Sequence, residues 1–133
     1  MSVIGINHFN IKAPAQLLEQ VRDFYVEVLG LTVGERPGFR RSGFWLYAGD
    51  EPLVHLTVDD REEEARADVE PAHGFLDHIA FTCRGLPGLI ERLKRFDIPY
   101  RMSEVASLGQ VQIFVSDPAS VRVELNFVNE STA

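Results

Sequence analysis

The chain has little cysteine: a single residue, Cys83, among 133. One thiol cannot close an intrachain disulfide, and it rules out zinc sites built from several cysteines. No apolar run approaches the roughly 20 residues of a membrane-crossing helix. The N-terminus, MSVIGINHFN, lacks the basic start and long apolar stretch of a secretory signal. Together these absences read as a soluble, cytoplasmic protein. Basic charge is also scarce, with 13 Lys and Arg against 20 Asp and Glu, a net of −7. That balance argues against nucleic acid or an anionic membrane as partner. There is no nucleophile elbow, no phosphate-binding P-loop and no dinucleotide glycine motif. The rest is ordinary: 45% hydrophobic and 25% charged residues, and a length that suits one domain with a real core.

The acidity is concentrated. Residues 59–70, DDREEEARADVE, hold seven acids and two arginines, a net of −5. Pro71 and Gly74 punctuate the end of this stretch. Residues 59–74 therefore read as a solvated linker, with room for a short helix around Glu62–Asp68. His73 falls inside it without a strand pattern and reads as a loop residue, not a ligand.

On either side of the linker the sequence repeats itself. One copy runs from INHFNIKAP to PLVHLTV and the other from LDHIAFTCRG to VRVELNF. His8 and His78 open the copies, and His55 and Glu124 close them. The offsets nearly coincide: 78 − 8 is 70 and 124 − 55 is 69. An internal repeat of this kind sets the architecture. It also puts three imidazoles and a carboxylate at matching points, and these are ligand types for a divalent metal.

Each copy reads as strand, helix, three strands. In the first, Val3–Ile11 has strand composition, and Pro14 suits a first helical turn. Leu17, Val21, Phe24 and Val28 make one helical face, and Gly30 ends it. Strands are expected at Leu31–Gly34, Gly43–Ala48 and Leu53–Val58, with Gly49 to Pro52 as a turn. In the second, Leu76–Cys83 is a strand, and Leu86, Leu89, Ile90, Leu93 and Phe96 line a helix. Pro99–Ser103, Gln110–Ser116 and Val121–Phe127 are strands, with Asp117 to Ser120 as the last turn. Alternation puts His8, His55, His78 and Glu124 on faces opposite the most continuous apolar rows. Cys83 falls on the apolar side, which predicts a buried, inert thiol. The fold class expected is α+β: two βαβββ modules, about 3–58 and 75–128, forming an open cup-shaped mixed sheet with helices on the outer face, in one domain over 1–133.

The segments INHFNIKA, VRDFYVEVLGL, PLVHLTV, LDHIAF and FVSDPASVRVELNF resemble the vicinal oxygen chelate superfamily. That superfamily spans glyoxalase I, fosfomycin- and bleomycin-resistance proteins, methylmalonyl-CoA epimerase and extradiol dioxygenases. The resemblance covers nearly the whole chain and implies a divalent metal: zinc, nickel, manganese or Fe(II). His8, His78 and Glu124 match the ligands shared by most metal-dependent members. His55 matches the fourth ligand position of glyoxalase I, where a glutamate is usual. The first implied activity is a glyoxalase-like lyase or isomerase. Its substrate chelates the metal through adjacent oxygens, Glu124 moves a proton, and His55 stands in for the second glutamate as base. The alternatives are an extradiol-type dioxygenase, with His55 beside a two-histidine, one-carboxylate Fe(II) site, and a drug-binding resistance protein without catalysis. A homodimer is implied as well, with ligands from one or both subunits.

Weaker signals remain. Arg36, Arg40 and Arg41 suit an anionic substrate or, more simply, an exposed hairpin loop. Phe39, Phe44, Trp45 and Tyr47 suit a pocket wall, core or a dimer contact.

Overall fold

The computed structural model describes residues 1–38, 41–61 and 75–131. The expected short helix at 62–68, His73, Pro71 and Gly74 lie outside the described residues, as do Phe39 and Arg40. The chain divides into two compact units, residues 1–68 and 69–133.

The first unit runs β1 (Phe9–Ala13), α1 (Ala15–Asp23), a π-helical turn (Phe24–Val28), β2 (Thr32–Gly34), β3 (Gly43–Ala48) and β4 (Glu51–Val58). Its sheet order is β1-β4-β3-β2, with β1 parallel to β4 and the other pairs antiparallel. The second unit runs β5 (Ile79–Cys83), α2 (Leu86–Arg95), β6 (Arg101–Val105), a 3-10 turn (Ala106–Leu108), β7 (Gln110–Ser116) and β8 (Arg122–Val128). Its order is β5-β8-β7-β6, again with only the first pair parallel. The class is α+β, each unit is a βαβββ module with a four-stranded mixed sheet, and β1 and β5 hold equivalent places.

Three local expectations need correction. The opening strands are shorter than predicted: β1 begins at Phe9 rather than Val3, and β5 at Ile79 rather than Leu76. His8 and His78 therefore sit one residue before their strands instead of on them. Hydrophobic composition at 3–8 predicted a strand, yet strand structure there needs a neighbouring backbone to bond, and of this opening segment only Phe9–Ala13 pairs with β4.

The second correction concerns the first helix. Its buried residues are Leu18, Val21, Phe24, Tyr25 and Val28, with Leu17 only half buried. Leu18, Val21, Tyr25 and Val28 keep a regular spacing of 3, 4 and 3, one position round from the expected face at Leu18 and Tyr25, and the segment ends in a π turn in which Leu29 N–H bonds to the Phe24 carbonyl five residues back, at 3.3 Å. One extra residue in the turn turns adjacent Phe24 and Tyr25 both inward. Gly30 ends the segment as expected, in the left-handed region at φ 80°.

In the third correction, the turn between β3 and β4 is only Gly49 and Asp50, and Glu51 and Pro52 already belong to β4. Pro52 is tolerated there because it sits at the start of the strand.

The cores follow the strand alternation. In β4, Val54 and Leu56 are fully buried; α1 packs against β1, β3 and β4 and contributes Leu18 and Val21, which are also fully buried. Each such side chain stabilises by about 2 kcal/mol relative to exposure. In the second unit, Leu86, Leu89 and Leu93 of α2 are buried with Ile113, Val123, Leu125 and Phe127. The helix starts at Gly85 with no side-chain cap of its own; instead Glu130, 45 residues on, accepts the Gly85 N–H at 3.0 Å and the Leu86 N–H at 3.0 Å. A carboxylate there satisfies two orphan donors and faces the positive end of the helix.

Candidate functional site

The cross-strand registers align the two copies residue by residue. In the first sheet one row reads Asn10, His55, Trp45, Gly34 across β1, β4, β3 and β2. In the second the equivalent row reads Ala80, Glu124, Phe114, Arg101 across β5, β8, β7 and β6. His55 and Glu124 thus hold the same ladder position, as their spacing implied. Both lie opposite the buried face: His55 is flanked in sequence by buried Val54 and Leu56, and Glu124 by buried Val123 and Leu125.

Each copy also brings its opening histidine to its closing ligand. In the first unit the His8 ring stacks on His55, with centroids 3.8 Å apart and planes 13° apart. Trp45, the cross-strand partner of His55, stacks on the same ring, with centroids 4.0 Å apart and planes 12° apart. In the second unit His78 Nε2 lies 3.8 Å from Glu124 Oε1. Two ligands on adjacent positions of an ion bound at about 2.0–2.2 Å are roughly 3 Å apart, so the separation is close to that of a ligand pair.

In each of the three described histidines one ring nitrogen is held by an oxygen and the other is left, although the held atom differs. His55 Nε2 donates to the Pro52 carbonyl at 3.0 Å, which leaves Nδ1 as the lone-pair atom. His78 Nδ1 lies 2.8 Å from Asp77 Oδ2, which leaves Nε2 toward Glu124. His8 Nδ1 lies 2.7 Å from Asn7 Oδ1, which leaves Nε2. A metal-binding histidine almost always has its second nitrogen held by an oxygen acceptor in this manner, because that bond sets tautomer and ring orientation.

The supports have their own supports. Asp77 Oδ1 accepts from Arg122 at 3.1 Å. The hydrogen bond to His78 and the Arg122 charge hold the Asp77 carboxyl below its usual pKa. Glu124 accepts from the Gln112 amide at 3.3 Å and the Asn126 amide at 3.0 Å. Burial holds the His55 pKa below 6.5, His8 and Arg36 push it further down, and the Pro52 bond acts against them. His55 is therefore neutral at pH 7, the state that metal binding requires.

Imidazole and carboxylate are ligand types for a divalent ion. Asn126 Oδ1, beside Glu124, is buried and accepts no hydrogen bond among the described residues. Such an acceptor is costly to leave unpaired and suits a water or a substrate hydroxyl. Within the described residues the ligand types come as pairs, and no group of three or more is assembled.

The remaining sequence signals resolve differently. Cys83 is half-buried rather than fully buried, and burial pushes its thiol up to about 11, which makes it a poor nucleophile. Arg36 bonds to the Arg41 carbonyl at 2.8 Å, and Arg41 pairs with Asp60 at 3.0 Å, so both serve the loop. Phe44 receives the Arg22 guanidinium on its face at 4.8 Å, and Tyr47 donates to the Glu35 carbonyl. Only Trp45 of the described aromatic run joins the histidines. Sequence reading passed over Asp77, Gln112, Asn126 and Arg122 as supports; Asp77 next to His78 was a readable signal.

No family model and no curated protein matches the chain. Solved structures do. A glyoxalase family protein of Bacillus anthracis is 25% identical, covers 96% of this chain and 98% of its own, and superposes with a TM-score of 0.72. A glyoxylase/bleomycin resistance protein/dioxygenase domain of Frankia is 17% identical, covers 96% and 99%, and also scores 0.72. An antibiotic binding protein of Streptomyces is 19% identical, covers 96% and 98%, and scores 0.62. The fold is that of the vicinal oxygen chelate superfamily, in which divalent metal sites are common. Within it, this chain's structural neighbours carry both glyoxalase-family and antibiotic-binding names.

Proposed function

We propose that the chain is a divalent-metal-dependent, glyoxalase-like lyase or isomerase acting on a small substrate with two adjacent oxygens. His8, His55, His78 and Glu124 are the proposed ligands. The observation that carries the reading is the shared state of the three histidines, each with one ring nitrogen held by an oxygen and the other left as a lone pair.

When bound, a divalent ion supplies Lewis-acid polarisation of the chelated oxygens. The chain supplies the rest. Glu124 is the carboxylate available to take and return a proton, held in place through Gln112 and Asn126. His55, kept neutral by burial and by His8, keeps Nδ1 as a lone-pair atom that serves either as ligand or as the second group able to take a proton, not both at once. Trp45 and Phe114, the cross-strand neighbours of His55 and Glu124 on equivalent rows, give each pair an apolar side.

The test is calorimetric zinc and nickel titration of the wild type, His55→Ala and Glu124→Ala, alongside hemithioacetal isomerisation and oxygen uptake with catechols. We expect both variants to lose metal affinity by a similar factor, on the order of 10–100-fold or more. Unchanged affinity in His55→Ala together with catechol-dependent oxygen uptake would replace the lyase reading with a ring-cleaving dioxygenase. Failure of the wild type to bind any divalent ion would leave a binding protein.

A further inference from the structure

The two equivalent rows differ at one end. The first ends on β2 at Gly34 and the second on β6 at Arg101. Around Arg101 the second unit has an open cavity of about 540 Å³, lined by Tyr100, Arg101, Phe114 and Arg122 with Pro99, Val115 and Ser116. Phe114 and Arg122 fall on the same strand face as Glu124: Phe114 is its cross-strand partner, and Arg122 is two residues before it. The Arg101 guanidinium lies over the Phe114 ring, 4.6 Å from its centroid, and so leans along the row toward Glu124. Among the described residues no carboxylate pairs with Arg101. Arg122 is shared, since one of its nitrogens is already on Asp77.

We infer that this cavity is the specificity pocket for a negatively charged end of the substrate, a carboxylate or phosphate, carried on an apolar or aromatic body. Arg101 is the primary anion contact, Phe114 and Tyr100 cover the body, and Arg122 adds a second positive charge. A planar guanidinium presents paired donors to an oxyanion, and its seat on an aromatic ring pre-orients it at small entropic cost. Neighbouring strands lie about 4.8 Å apart, so Arg101 stands roughly 10 Å along the row from Glu124, before side chains shorten the gap. A substrate spanning both places has its anion about one benzene ring away from its two adjacent oxygens. The inference rests on the proposed metal reading only for that second end; the anion pocket is defined by the second unit alone.

Matched probes separate the two ideas. 3,4-Dihydroxybenzoate carries adjacent oxygens at one end of a ring and a carboxylate at the other, and 3,4-dihydroxybenzamide is its neutral counterpart. Benzoate and benzamide lack the chelating end. All four are titrated calorimetrically into metal-free and zinc-treated protein, with the wild type, Arg101→Gln and Arg101→Lys. We expect each acid to bind about tenfold or more tightly than its amide in the wild type, as one charge-assisted contact provides. Arg101→Gln should abolish that preference and Arg101→Lys should restore part of it, while zinc affinity stays the same. Arg101 is exposed on an edge strand, so melting temperatures should agree within a degree or two, which separates recognition from folding. Equal affinity for acid and amide in the wild type, or an acid preference that survives Arg101→Gln, overturns the pocket. Failure of zinc to strengthen the dihydroxy probes over benzoate tells instead against the metal reading and leaves the acid preference standing.

Discussion

Asp59 and Asp117 are the buried charged residues of the described chain, at 5% and 4% exposure, and each anchors the backbone just after a strand. Asp117 Oδ1 accepts the Ala119 and Val121 N–H groups at 2.8 and 2.9 Å, which shapes the turn that the sequence Asp-Pro-Ala-Ser announced. Asp59 is clasped by Arg61, with contacts of 2.9 and 2.7 Å to its two oxygens. That bond holds the Asp59 carboxyl well below the usual carboxylate range. A depressed folded-state pKa contributes stability that is present above the unfolded value of about 3.9 and lost as pH falls through it toward the folded value. Asp59→Asn should therefore melt lower than the wild type by a constant margin above about pH 5, and the margin should shrink below about pH 4. Melting curves from pH 2.5 to 7 check this; a margin equal at pH 3 and pH 7 would sink it. At this scale the types of the site residues were legible and their partners were not. His55 was readable as a candidate ligand, but the Pro52 carbonyl that holds its ring is made available by the way β4 begins.

At the scale of elements, strand alternation was the most legible signal. It placed Val123, Leu125 and Phe127 inward and Glu124 outward, and the burial of β8 agrees. The period of two survives because each sheet buries one face. The helices were less transparent. The π turn at Phe24–Val28 buries Phe24, Tyr25 and Val28, and the cap of α2 comes from Glu130, far along the chain. No local motif near Gly85 reveals that cap. Glu130→Ala should lower stability in urea unfolding by about 1 kcal/mol, the usual worth of a helix cap with its dipole contribution, and Glu130→Gln should recover part of it. No change in Glu130→Ala would mean that the tail leaves α2 in solution.

For the whole molecule, the repeat is the organising fact. It predicts two modules of the same connectivity, and their sheets agree strand for strand. Apolar residues shortly before each opening strand are exposed, Ile6 at 94%, Phe75 at 109% and Leu76 at 65%. Each sheet also ends in edge strands, β1 and β2 in one and β5 and β6 in the other. Exposed apolar residues next to strand edges favour pairing with a second copy. We expect a homodimer, read as twice the 15.0 kDa chain mass in light scattering at micromolar concentration. A steady monomer across that range would count against it.

The sequence by itself determined the class of fold, the duplication and the faces of the strands, and it placed the candidate residues at repeat-related positions. These are local or periodic properties, and a periodic pattern is written in the order of residues. Only the tertiary structure decided that β1 starts after His8, that Tyr25 turns inward, and that Trp45 and Phe114 stand beside His55 and Glu124. It also decided that Arg101 ends the row that holds Glu124. Each of these depends on which backbone lies next to which across strands, and pairing register joins residues that are far apart in the chain.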